Sequence, residues 1–352
     1  MSHHENVAQA RANLLKDLFG DEVPRLWCPP LTHYSAQGTL DRERMAAHWS
    51  SMRPNVRAFL VPGSTGDGWE MTDDEVTELL DFTIELAVKL DAILLIGVLK
   101  ADVSSMCETI SETMELLKQK TAVGDSTQVL RQSRVCGFAV CPPRGAELSQ
   151  DQIQAGLEAV LSLGLPTALY QLPQVTENEM SPAVVTRLAE RYSNFILLKD
   201  TSGNDQIALH DRGHSGVFLV RGAEGNYATW LQETGGPYHG LLLSTANCFS
   251  AQLKGIIALL EDERAEEAQE SATRLMHVVD AVFGLISNLP MGNPFTNANK
   301  AMDHYCAYGS EAGRMPPPML HAGMRLPKDV TQEVGEILSK EKIVSPKGYL
   351  YV

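Results

Sequence analysis

Eight short apolar runs, most of them separated by stretches of helical periodicity, constrain the fold of this chain more than any other feature. They lie at residues 25–31, 58–61, 92–96, 138–140, 166–169, 195–198, 217–220 and 240–243. Runs of this length read as strands, and strands alternating with helices imply βαβ units around a buried parallel sheet. Eight such units in roughly 250 residues match the size of a closed barrel. A doubly wound sheet is the other architecture to weigh, but the G-x-G-x-x-G that would follow its first strand is missing. The expectation is an α/β chain: a (β/α)8 TIM barrel over 25–250, an N-terminal helical extension over 1–24, and a C-terminal helical region over 251–352 packed on the barrel.

Local signals support the alternation. Thr72 and Glu75 form a capping box, in which the hydroxyl caps the helix and the carboxylate reaches back. Val76, Leu79, Leu80, Ile84, Ala87 and Val88 then give that helix one apolar face. Ser149 and Gln152 make a second box, and Ser181-Pro182 supplies an N-cap with proline at the first helical position. Further helices are expected at 41–52, 103–120, near Asp205 and at 227–232. Leu14, Leu15, Leu18 and Phe19 form one face of an N-terminal helix. Residues 121–134 are polar and irregular and read as an inserted loop. Beyond Ser250 only helical patterns remain, broken at 290–294 and 316–318.

Composition excludes several classes. Twenty-nine basic against 44 acidic residues give a formal charge of −15, and there is no dense Lys/Arg run of the kind a nucleic-acid binder presents. No apolar run approaches the roughly 18 residues of a membrane span. The first 22 residues carry charges throughout and lack a signal-peptide core. The six cysteines contain no C-x-x-C pair and read as reduced, buried small hydrophobes of a cytoplasmic protein. Among ten histidines there is no H-E-x-x-H or H-x-H spacing, so no metal site is expected.

Three stretches could carry chemistry. Phe195-Ile196-Leu197-Leu198 runs straight into Lys199 and then into Asp200, Thr201, Ser202 and Gly203. A lysine at the C-terminal end of a buried strand sits where α/β barrels keep their active sites. Desolvation would lower its pKa and make the amine nucleophilic, the setting for a Schiff base. Taken alone it reads equally as a strand-end lysine snorkelling to solvent. Gly63-Ser64-Thr65-Gly66 lies between a strand and a capped helix, where backbone N–H groups and hydroxyls can hold a carboxylate or phosphate. The other reading is an ordinary glycine-rich βα turn. Tyr170, at the end of the preceding strand, is either a proton shuttle beside the lysine or an aromatic rim residue.

Taken together these stretches resemble one family. Gly63-Ser64-Thr65-Gly66-Asp67 resembles a G-T/S-T-G-E loop, Tyr170-Gln171-Leu172-Pro173 a Y-N-x-P, and Lys199-Asp200-Thr201-Ser202-Gly203 a K-D/E-x-S-G. Gly222-Ala223-Glu224, residues 240–247, Asn293-Pro294-Phe295-Thr296 with Lys300-Ala301, and Arg314-Met315-Pro316 follow in the family's order. The pattern, over roughly 26–318, is that of the dihydrodipicolinate synthase/N-acetylneuraminate lyase group of class I aldolases. The resemblance implies a (β/α)8 barrel, a homo-oligomer (tetramer or dimer), and Lys199 forming an imine with pyruvate or another 2-oxo acid. It implies that Tyr170 shuttles protons and that Gly63, Ser64 and Thr65 bind the carboxylate. Thr201 and the backbone near Leu242 would line the same pocket. Because the imine is itself the electron sink, no cofactor is expected.

Two departures narrow the reading. Where synthases of the lysine pathway carry an arginine for a second carboxylate, this chain has Val175, which argues against dihydrodipicolinate synthesis. The family's P-Y-Y is replaced by Pro142-Pro143-Arg144, which puts a tyrosine relay in doubt. Arg144 could instead ground an acidic or polyhydroxy substrate, or be a surface arginine. The expected activity is cleavage or formation of a C–C bond in a 2-oxo-3-deoxy or 4-hydroxy-2-oxo acid. A deoxy-keto sugar acid dehydratase and a non-catalytic 2-oxo acid binder are the alternatives.

Overall fold

A computed structural model describes residues 3–210, 214–343 and 345–351. Eight parallel strands close into a barrel in sequence order: β1 (Leu26–Cys28), β2 (Ala58–Val61), β3 (Ile93–Val98), β4 (Val135–Val140), β5 (Thr167–Gln171), β6 (Phe195–Asp200), β7 (Phe218–Arg221) and β8 (Gly240–Leu242). β8 returns to β1 with Leu26 opposite Leu241. Because neighbouring strand residues point to opposite faces, each strand feeds two cores. Trp27, Leu60, Leu95, Ala139 and Leu197 fill the barrel interior. Phe59, Leu94, Phe138, Phe195 and Leu198 face out into the larger core beneath the helices. There Phe59 stacks on Trp49 at 4.4 Å between ring centroids. Side chains of this size contribute roughly 1.5–3 kcal/mol each when fully buried.

The capping boxes form as the sequence predicts, at Thr72 for the helix Asp73–Leu90 and at Ser149 for the helix Gln150–Leu161. Ser181 caps Pro182–Arg191 through Val184 N–H. Two expectations fail. Residues 121–134 are not a loop: after the helix Val103–Thr121 a second helix, Ser126–Gln132, is capped by Asp125 and buries Val129 and Leu130. Residues 227–232 are not a helix but turns leading to a bridge between Leu231 and Tyr238. Tyr227, Ala228 and Leu231 have helical spacing because all three are core residues, and packing rather than periodicity explains them.

The N-terminal helix, His3–Phe19, lies against the floor of the barrel, with Leu14, Leu15, Leu18 and Phe19 packed on the interior core. Phe19 meets Trp27 edge-on, 5.9 Å between centroids. From the same helix the fully buried Arg11 donates to Phe195 O (2.6 Å), Tyr192 O (2.7 Å), Ala189 O and Ser215 O. Ala189 and Tyr192 lie at the end of the helix Pro182–Arg191, so a cation here answers orphan carbonyls at the negative end of that helix dipole. Burial lowers the Arg11 pKa to about 10.

Beyond the barrel run the helices Ala246–Glu261, Ala265–Ile286, Pro294–Tyr308 and Lys328–Glu341. Pro294–Tyr308 starts at the barrel mouth, with Asn293 capping Phe295 and Thr296. Among the described residues no helix is long and apolar enough to cross a membrane. All six cysteines are free thiols, Cys28, Cys136 and Cys141 buried and the others half-buried.

Candidate active site

Alternation along β6 turns Leu198 outward and Lys199 inward, and β5 does the same for Leu169 and Tyr170. Tyr170 and Lys199 are direct register partners. The lysine is 5% exposed and the tyrosine 2%. The Lys199 Nζ lies 3.9 Å from the centre of the Tyr170 ring. Burial lowers the Lys199 pKa to about 7, against an opposing pull from Cys141, Glu224 and Cys28. The two thiols have their own pKa values raised by burial, so at neutral pH they carry no charge and Glu224 is the ionisable neighbour that matters. Burial also raises the Tyr170 pKa, which keeps the phenol protonated.

The Ser64–Gly66 turn follows β2 and ends in Asp67 at φ 64°. An aspartate in this left-handed conformation needs support. Lys300 Nζ supplies it at 2.9 Å, and Tyr34 donates to the same oxygen at 3.1 Å. The C-terminal region also grips the turn itself: Asn293 Nδ2 reaches Ser64 Oγ at 3.3 Å and Thr296 Oγ1 donates to Thr65 O at 3.0 Å. The Ser64 and Thr65 N–H groups find no acceptor among the described residues. Two unpaired donors in a braced turn have the chemistry that an anion requires.

These pieces share one cavity of about 650 Å³, lined by Ser64, Thr65, Tyr170, Lys199, Thr201 and Leu242, with Glu224 and Ser244 beside them. Thr201 Oγ1 donates to Gln171 O, which fixes the loop after β6. Gly63 stands behind the cavity, where an added Cβ would come 2.6 Å from Pro29 Cβ. Arg144 is not brought to the site. It is exposed and ion-paired with Glu177, and it does not line the cavity. Its guanidinium meets Glu177, 33 residues further along the chain.

Three contributors escaped the sequence reading. Glu224 accepts from Ser244 Oγ (2.7 Å), Thr245 Oγ1 (2.7 Å), Thr245 N (3.1 Å) and Tyr227 OH (3.1 Å). It therefore ties the loop after β7 to the loop after β8. Gly222 must be glycine, because a Cβ there would lie 2.3 Å from Thr201 Cγ2 and 2.9 Å from Lys199 Cε. Arg221 holds this loop from outside, donating to Ala223 O and Gly225 O and pairing with the buried Asp205 through two hydrogen bonds of 2.9 and 3.0 Å. The motif at 222–224 was visible in the chain, but its tie to Ser244 and Thr245 was not.

Among the described residues one group elsewhere has metal-ligand chemistry: the buried His33, His48 and Asp303. Its atoms are already engaged. The two imidazoles share a 3.1 Å hydrogen bond, Arg44 occupies Asp303 Oδ2 at 2.9 Å, and Tyr349 donates to Oδ1 at 3.0 Å. A guanidinium on the carboxylate opposes a metal ion, and the cluster works as a brace between the C-terminal tail and the helix Arg42–Met52.

Comparison with known proteins follows from this geometry. Residues 22–292 match the model of the Dihydrodipicolinate synthetase family. A 4-hydroxy-tetrahydrodipicolinate synthase of Acidiphilium cryptum (strain JF-5) is 25% identical over 264 residues, covering 73% of this chain and 79% of that protein. The enzyme of the same name from Sodalis glossinidius is 23% identical over 282 residues, covering 79% and 87%. Among solved structures, YagE from E. coli K12, a prophage protein crystallised with pyruvate, superposes with a TM-score of 0.71 at 20% identity, over 92% of this chain and all of that one. A variant of Sulfolobus solfataricus 2-keto-3-deoxygluconate aldolase does so with 0.71 at 15% identity, over 91% and 96%. The structural likenesses speak for the barrel, and the family match over most of the sequence makes the chain a member of the dihydrodipicolinate synthetase family.

Proposed function

We propose that this chain is a class I aldolase that joins or cleaves pyruvate, or a close 2-oxo acid, through an imine on Lys199. The observation that carries the reading is a buried amine with a pKa of about 7 against the Tyr170 ring, in one cavity with the Ser64–Thr65 turn. At neutral pH about half of such an amine is free base, against well under a thousandth of an ordinary lysine. The Ser64 and Thr65 donors bind the carboxylate of the 2-oxo acid, and the Leu242 and Thr201 side of the cavity flanks its keto carbon.

In the cleavage direction Lys199 Nζ adds to the keto carbon and water leaves, giving the iminium. The C3–C4 bond breaks with its electron pair flowing to the iminium nitrogen, and the C4 hydroxyl proton passes to Tyr170 as the phenol hands its own to water, which later returns a proton to C3 of the enamine. A phenol kept protonated by burial suits such a relay better than it suits a free base. The aldehyde departs, the enamine takes a proton at C3, and one water hydrolyses the imine to pyruvate and free Lys199. Atoms balance with no other reactant. Relatives named as synthases and a neighbour named as an aldolase support the reaction class. A homo-oligomer in the cytoplasm is part of the same proposal. Borohydride added with saturating pyruvate should fix an adduct on the peptide bearing Lys199; an unmodified Lys199 refutes it.

A further inference from the structure

The cavity is much larger than pyruvate needs: at about 650 Å³ it falls among pockets of roughly 300–1,000 Å³ that enclose whole drug-sized ligands. Its lining combines Ser64, Thr65, Lys199 and Tyr170 with an apolar set, Leu172, Val175, Pro294 and Phe295, and with further polar residues that include Glu70, Gln174, Ser202 and Asn293. Phe295 is 45% exposed at the mouth, resting edge-on against Phe283 with 5.5 Å between centroids. Val175 packs on the barrel's interior core.

The charges of the lining point the same way. Lys199 is its one cation among the described residues, while Glu70 and Glu224 are acidic. Arg144, the candidate that could have met an anion, pairs with Glu177 outside. A second carboxylate or a phosphate on the substrate would meet no counter-charge here and would face Glu70. Three of the polar side chains in the lining already have partners. Gln174 donates its amide to Thr201 O at 3.0 Å, Ser202 donates to Asp200 Oδ1 at 2.6 Å, and Glu224 is filled by four donors. Hydroxyls buried against Leu172, Val175, Pro294 and Phe295 would lose water without replacement.

We propose that the aldehyde half of the substrate is uncharged and apolar, an aromatic or branched aliphatic aldehyde whose body rests on Val175, Leu172, Pro294 and Phe295. This rests on the imine reading above. In the condensation direction C3 of the pyruvate enamine bonds to the aldehyde carbon, the aldehyde oxygen takes the proton relayed by Tyr170, and water releases a 4-aryl- or 4-alkyl-4-hydroxy-2-oxobutanoate.

The test is condensation of pyruvate with benzaldehyde, isobutyraldehyde, succinic semialdehyde and glyceraldehyde, read as kcat/KM for the aldehyde by product chromatography. Benzaldehyde and isobutyraldehyde should exceed the other two by about 10–200-fold, the range that apolar pocket contacts achieve. Val175→Arg should move the benzaldehyde to succinic semialdehyde ratio about 100-fold toward the acid. Phe295→Ala, at an exposed position, should lower the ratio of benzaldehyde to glyceraldehyde use about tenfold. Preference for glyceraldehyde or the semialdehyde overturns the proposal, as do variants that leave the ratios unmoved. Borohydride trapping with pyruvate alone separates the two claims. An adduct on Lys199 without apolar preference refutes only the substrate class, whereas no adduct refutes both.

Discussion

Replacing Lys199 with methionine should make the protein more stable while removing the amine on which the proposed imine depends. The amine is 5% exposed and its pKa falls from an ordinary 10.5 to about 7 through burial. Each decade of lost proton affinity corresponds to about 1.4 kcal/mol. At pH 7 the unfolded lysine is fully protonated and the folded one half so, which puts the penalty carried by the native protein at ~4 kcal/mol. The sign follows from proton release. Between pH 7 and 10.5 folding expels a proton, so native stability relative to the variant rises with pH across that window. By pH 9.5 the gap should shrink to ~1.4 kcal/mol, on top of a constant offset for the methionine's own packing. Urea titrations of both proteins at pH 7 and 9.5, with circular dichroism as the signal, measure it directly. A gap that does not change with pH, or a variant less stable at pH 7, would show that Lys199 is an ordinary, solvated lysine.

Gly222→Ala should leave circular dichroism intact yet lower the rate of borohydride-trappable imine formation about 100-fold, because the new Cβ would displace Thr201 Cγ2 and Lys199 Cε from 2.3 and 2.9 Å and misplacements near 1 Å have that effect; a wild-type trapping rate contradicts the packing argument. Asp205→Ala should destabilise by ~3–5 kcal/mol in denaturant titration by leaving the Arg221 guanidinium buried without its partner. The double variant with Arg221→Leu should recover much of that loss, and strictly additive losses would count against a coupled pair.

How much of this was legible in the chain differs by element. The barrel was, because apolar runs of three to seven residues recur eight times, most of them separated by helical patterns, and the glycine motif of a doubly wound sheet is missing. Lys199 and Tyr170 were legible individually as polar residues ending apolar strands. Their direct pairing was not, since β5 and β6 carry a register shift near Thr167 that no spacing records. The helix Ser126–Gln132 went unseen because seven residues with two buried apolar positions show no period. At 227–232 the opposite error arose, where core burial imitated a helix. Arg144 misled because a charge in a motif position says nothing of Glu177, its neighbour in space. The grip of Asn293, Thr296 and Lys300 on residues 64–67 spans more than two hundred residues, beyond any local pattern.

That grip has a consequence for the order in which a newly made chain gains its parts. All eight strands, and with them Lys199, have been synthesised once residue 242 is made. The side chains that steady residues 64–67 come from 293 to 300. At about 5–20 residues per second of synthesis, some 3–12 seconds separate the two moments. In that interval a nascent barrel has its buried lysine but not the brace on the turn across the cavity from it. The finished geometry of the cavity therefore waits for the last part of the chain, and the helix Pro294–Tyr308 completes it in the order of translation.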